Sequence, residues 1–141
     1  MRPVDKAMNY LSLARKGGRA ELGEEPVGAA ARQGHAHLIL VASDASDHTW
    51  RRAVSFAAGT DQQCLRLKQT KDELGQAVGR TALAMAAITD PALALALVKS
   101  LENLPAPVLE VLEAKTAKKS RLASEAKAHA RNKRFGKKKN G

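Results

Sequence analysis

The sequence predicts an α/β protein, a three-layer α/β/α sandwich with a small mixed four-stranded sheet and a basic C-terminal tail. Three observations predict it. Helical segments alternate with short apolar runs along most of the chain. One of those runs, Leu38 to Ala42, is unbroken, too short for a membrane span and of the right length for a strand covered on both faces. Glycines fall where helices should stop, so each connection is short, and such alternation packs as helices around a sheet.

Taken in order, Pro3 and the spacing of Val4, Met8 and Leu11 predict a first helix, with Arg15 and Lys16 in its last turn and Gly17-Gly18 ending it. A brief strand follows from Arg19 to Leu22. Glu24 and Glu25 suit the positive end of a second helix, and Pro26 is tolerated near the same end. Val27, Ala30 and Ala31 share its inner face, and Gly34 stops it. After the Leu38–Ala42 strand, Asp44 is a loop residue and Ser46 caps a third helix, whose core face reads Trp50, Ala53, Val54 and Ala57 before Gly59. Cys64 to Leu67 is a short strand. Thr70 and Glu73 have capping-box spacing and introduce a helix through Leu74, Ala77 and Val78, stopped by Gly79. Ala84 to Ile88 is the last extended segment, against alanine's own preference. Thr89 or Asp90 caps a fifth helix with Pro91 at its first position, burying Leu93, Ala94, Leu97, Val98 and Leu101.

Leu104-Pro105-Ala106-Pro107 is stiff punctuation, which divides the chain into a body at 1–104 and a tail at 105–141. Val108, Val111, Leu112 and Ala114 start a final helix. Its apolar positions thin out by Lys118, and the end, RNKRFGKKKNG, reads as disordered on its own. The net charge of +10 is modular. From Ala114 onward, Lys115, Lys118, Lys119, Arg121, Lys127, Arg131, Lys133, Arg134, Lys137, Lys138 and Lys139 face a single acid, Glu125, so the tail carries all of the excess and residues 1–113 are formally neutral. A polyanion is the partner that such a tail seeks. Phe135 is its only aromatic, so base stacking is not its main mode, and it lacks the apolar face of a membrane-surface helix.

One cysteine, Cys64, excludes an internal disulfide, and a reducing cytoplasm is the simplest home. Asp5 and Lys6 interrupt the region where a signal peptide needs apolar residues. Catalysis finds little support. His35 and His37 share a strand face but lack a third zinc ligand, and read as a strand entrance. His48 with Asp44 and Asp47 reads as a set of loop caps, and Cys64 as a small buried residue. Gly17-Gly18 and Gly75-x-x-x-Gly79 lack the context and lysine of a phosphate loop. No metal, cofactor or enzymatic activity is expected.

Three blocks, LSLARKGG, GEEPVGAAARQGHAHLILVASDAS and ELGQAVGRTALAMAAITDPALALAL, fall in an order and spacing that resembles the ribosomal protein family L-seven-Ae, and most resembles its bacterial YlxQ-like branch. The match covers roughly residues 6 to 101. The resemblance implies an α/β/α sandwich that binds folded RNA, a kink-turn in many relatives, through the helix after the first strand and a loop after the last. Carried over, the RNA-facing element is Gly23, Glu24, Glu25, Val27, Gly28 and Ala29, and the closing loop is Ile88, Thr89, Asp90, Pro91 and Ala92. Arg15, Lys16 and Arg19 are expected to flank that face, with Arg32 on the next helix.

The chain departs from the family pattern at three positions. Kink-turn binders carry an asparagine, a glutamate and a lysine where this sequence has Glu25, Pro26 and Ala29, so the usual base and phosphate contacts are not reproduced. The expectation is a monomeric, cytoplasmic, non-enzymatic protein that binds structured RNA in or around the ribosome and translation, with the tail adding phosphate affinity. The competing expectation is a protein-interaction adaptor on the same fold.

Overall fold

A computed structural model of the chain describes residues 5–122. Pro3, Val4, Phe135 and the tail cations Lys127, Arg131, Lys133, Arg134, Lys137, Lys138 and Lys139 lie outside the described residues, as does the expected disorder of the end. The element order is α1 (Lys6–Lys16), β1 (Ala20–Leu22), α2 (Glu24–Arg32), β2 (Leu38–Val41), α3 (Asp47–Ala57), β3 (Gln63–Arg66), α4 (Lys71–Ala77), β4 (Met85–Ile88) and α5 (Pro91–Lys99). A sixth helix, α6, covers residues 106–122. The alternation read from the sequence is the one observed.

The four strands form one sheet in the order β1-β4-β2-β3. β4 runs antiparallel to both neighbours, whereas β2 and β3 are parallel, so the sheet is mixed. Helices α2 and α3 pack together on one face, and α1, α4 and α5 on the other. Leu38 to Ala42 are fully buried, as a strand covered on both faces must be. Ala86 and Ala87 are equally buried in β4, where pairing with β1 and β2 on both sides outweighs alanine's weak strand preference.

Local chemistry sets the helix ends. The Asp5 carboxylate accepts from the Met8 amide at 3.2 Å, and the Ser46 hydroxyl from the Thr49 amide at 3.1 Å. Thr70 and Glu73 form the reciprocal capping box, and Asp90 caps α5 with Pro91 in its first turn. Gly34 and Gly79 adopt φ of 75° and 74°, the left-handed backbone that ends a helix at little cost only for glycine.

Two expectations are corrected. Val54 is 43% exposed rather than part of the core face of α3. This helix lies over β2 and β3 at one edge of the sheet, so its inward stripe narrows to Ala53 with Trp50 and Ala57 partly buried, and Val54 turns past the edge. Phe56, absent from the expected face, turns toward α2 instead. A Cβ at Gly28 would stand 2.9 Å from its Cζ. The final helix also runs further than its apolar pattern suggests, and Leu112 is completely buried in the main core.

Candidate nucleic-acid interface

The sheet register divides the connecting loops between two ends. β1 pairs with β4 so that Ala20 faces Ile88 and Leu22 faces Ala86. Gly23 therefore lies beside the start of β4, where its amide donates to the Met85 carbonyl at 2.9 Å. Residues 88–92 lie beside the start of β1, where the Thr89 amide donates to the Arg19 carbonyl at 2.9 Å. α2 runs back from Gly23 over β1 and β4, so the two segments meet along its length, and Pro26 and Ala29 line one shallow groove with Thr89, Glu21 and His35. Only Gly23 itself, beside Met85, is set off from Ile88, by about 10 Å along β4. The resemblance supplied the two segments, and the return of α2 over the sheet brings them side by side.

At the first end, Gly23 has φ 96° and ψ 161° and leads into α2 with no side-chain cap. The first turn of α2 consequently offers backbone N–H groups beside the half-buried Glu24 and the exposed Glu25. The loop after β2 closes in the same region, with the Ala42 amide donating to the Ala84 carbonyl at 3.0 Å. The turn from Gly79 to Leu83 joins it and brings Arg80, whose Nη1 lies 4.0 Å from the position of a Gly23 Cβ. Arg80 reaches this place because Gly75 lets the turn rest on α4: a Cβ at Gly75 would be 2.7 Å from the Arg80 carbonyl oxygen. Arg80 is exposed, and reading the sequence missed it, because a single arginine after a helix-stopping glycine carries no distinguishing pattern.

A shallow groove of about 560 Å³ runs between α2 and α3, lined by Glu24, Glu25, Arg32, Arg52 and Phe56 among others. Arg52 forms an ion pair with Glu24 and places its guanidinium 5.2 Å above the Phe56 ring. That arginine, also missed in the sequence, couples the first turn of α2 to α3. Further along α3, Trp50 takes the guanidinium of Arg66, from the end of β3, 5.1 Å above its ring. Of the other expected site residues on α2, Ala29 is exposed, whereas Val27 and Gly28 are buried and serve to seat the helix.

The second end of the sheet is an ionic cluster. Asp90 is 6% exposed at its side chain and meets Lys119 at 2.6 Å and Arg19 at 3.6 Å. Burial pushes its carboxyl up, but the Lys119 hydrogen bond, the Leu93 amide and the two positive charges outweigh this and hold it below the ordinary carboxylate range. Lys115 pairs with Asp61 at 3.1 Å and is only 12% exposed. Lys115 and Lys119 are thus engaged within the molecule, while Lys118 is exposed and Arg121 lies further along α6. Arg15 and Lys16 are exposed at the end of α1, shortly before Arg19. Ile88 and Pro91 are buried there, and Ala92 is exposed.

The remaining candidates have plain environments. Asp44 accepts from the Lys71 amide at 2.8 Å, so it acts as a loop cap. His35 is exposed before β2, and His37 is half-buried beside Lys115. Burial drives the Cys64 thiol up to about 12, which keeps it protonated at neutral pH. No helix among the described residues is long and apolar enough to cross a membrane.

No protein-family model matches the chain, and no curated protein matches its sequence. Solved structures do match. A protein of unknown function from Bacillus halodurans superposes with a TM-score of 0.65 and 22% identity, covering 70% of this chain and 98% of that one. The Giardia lamblia 15.5kD RNA binding protein superposes with a TM-score of 0.56 and 18% identity, covering 72% of this chain and 86% of that one. The chain shares their fold. It carries that fold with a sixth helix bound by ion pairs at one end of the sheet and an open first turn of α2 at the other.

Proposed function

We propose that this chain is a non-enzymatic RNA-binding protein, of the L-seven-Ae type and its YlxQ-like branch, that recognises structured RNA. The observation that carries the reading is the fold it shares with the Giardia 15.5kD RNA binding protein, combined with an uncapped α2 N-terminus beside an exposed arginine. The RNA-facing end is built from Gly23 to Glu25 with Arg80. Backbone N–H groups and Arg80 meet phosphate there, and Glu24 or Glu25 accepts from base amino groups.

The loop at 88–92 adds Thr89 to the groove beside Pro26 and Ala29, and also holds α6 through Asp90. Phosphate affinity comes from the remaining tail cations, and the protein works as a monomer with no cofactor, in the cytoplasm and in or around translation.

The test uses the full chain and fluorescence anisotropy, with a kink-turn RNA and a duplex of matched length and charge. Preference for the kink-turn, reduced at least fivefold by Arg80→Ala, is the expected result. Equal affinity for both RNAs with no effect of Arg80→Ala would remove the structural selectivity and leave only the polyanion contact of the tail. A protein adaptor, the competing reading, would show neither RNA affinity nor a steep salt response.

A further inference from the structure

Lys115 on α6 places its ammonium between two acceptors, the Asp61 carboxylate at 3.1 Å and the His37 Nδ1 at 3.1 Å. An ammonium has three N–H donors and no lone pair. Lys115 therefore donates, Nδ1 accepts, and the His37 ring is neutral with its proton on Nε2. A proton on Nδ1 would turn that acceptor into a donor facing a second cation.

The charged groups around the ring come from four segments. They are Lys115 on α6, Asp61 before β3, His35 in the approach to β2, and Asp90 at the start of α5. Burial and then Lys115 disfavour protonation, and together with His35 they outweigh the two acids, so His37 lies below its ordinary value of 6.5. The rest of α6 is anchored by the fully buried Leu112 and by the Lys119–Asp90 pair.

We propose that α6 is a pH-sensitive latch across the second end of the sheet, closed while neutral His37 accepts from Lys115 and loosened when His37 takes a proton at Nδ1. The sign follows from proton linkage. With α6 lifted, His37 regains its ordinary pKa, so the open form binds protons more readily than the closed one. Docking is complete above about pH 6.5 and weakens as pH falls toward the lowered value in the closed form, below which the loss is constant. Asp90 stays ionised through this range, so its contact with Lys119 is not what releases.

The experiment is hydrogen exchange on the full chain from pH 7.5 to 5.5, corrected for intrinsic amide rates, with the ring titration of His37 followed by NMR. Opening of residues 106–122 is expected to rise by up to about tenfold per pH unit below 6.5 in the wild type. H37Q keeps an acceptor for Lys115 without titrating, so the rise should vanish, whereas H35Q should retain it. K115M should move the His37 titration upward. The latch is refuted if H37Q opens with acid as the wild type does, or if His37 titrates at its ordinary value and K115M leaves it there. Should H37Q not fold, the NMR titration of wild type and K115M decides alone.

Discussion

Asp90 shows how one side chain serves two elements. Its carboxylate accepts from the Leu93 amide at 3.0 Å to cap α5, and it receives Lys119 from α6 and Arg19 from the approach to β1. Asp90→Ala should therefore cost about 2 kcal/mol in chemical denaturation, the cap contributing about 1 kcal/mol and the partly exposed ion pairs the rest. Because the folded carboxyl sits below its ordinary 3.8, its stabilisation is present above that value and is lost as pH falls through the lowered one. An acid titration of stability should show a smaller drop below pH 4 for Asp90→Ala than for the wild type. Equal drops would mean that the cluster contributes nothing to the ionised fold.

At the level of elements, two buried glycines make a comparison possible. A Cβ at Gly75 would meet the backbone of Arg80 and Ala82 at 2.7 and 2.9 Å, whereas one at Gly28 would meet the tip of the Phe56 ring at 2.9 Å. A side chain can rotate away more easily than a backbone turn can shift. Gly75→Ala should therefore cost about 3 kcal/mol and Gly28→Ala about 1 kcal/mol or less in thermal melts. Thr70→Ala should cost about 1 kcal/mol through loss of the capping box. These elements were legible in the sequence because caps, glycine stops and the Leu38–Ala42 run are local signals. What was not legible is non-local. Neither the antiparallel direction of β4, which sets it between β1 and β2, nor the pairing of Lys115 with Asp61 leaves a mark within any short window.

For the whole molecule, the division of charge is sharper than composition alone suggests. Two of the tail cations, Lys115 and Lys119, are bound to the body, so the proposed phosphate affinity rests mainly on the sequence beyond Leu122, with seven Lys/Arg against Glu125. Deleting 123–141 should shrink the salt slope of RNA binding by about 0.7 to 0.9 for each cation that touches phosphate. An unchanged slope would exclude the tail as an RNA contact. Leu112→Ala, in contrast, should cost about 2 to 4 kcal/mol, since that residue is fully buried.

The position of β4 also governs how the chain is made. Among the described residues it is the last strand to be synthesised, yet it lies between β1 and β2. A nascent chain that has reached Ala77 can pair β2 with β3, but the other edge of β2, carrying Leu38 to Val41, has no partner, and β1 has none at all. Closure must wait for Met85 to Ile88 to emerge and slide between two strands made long before, a non-local step that sets a slow rate. Until then the fully buried, all-apolar strand β2 has an open edge, and the incomplete chain is the form most prone to aggregate.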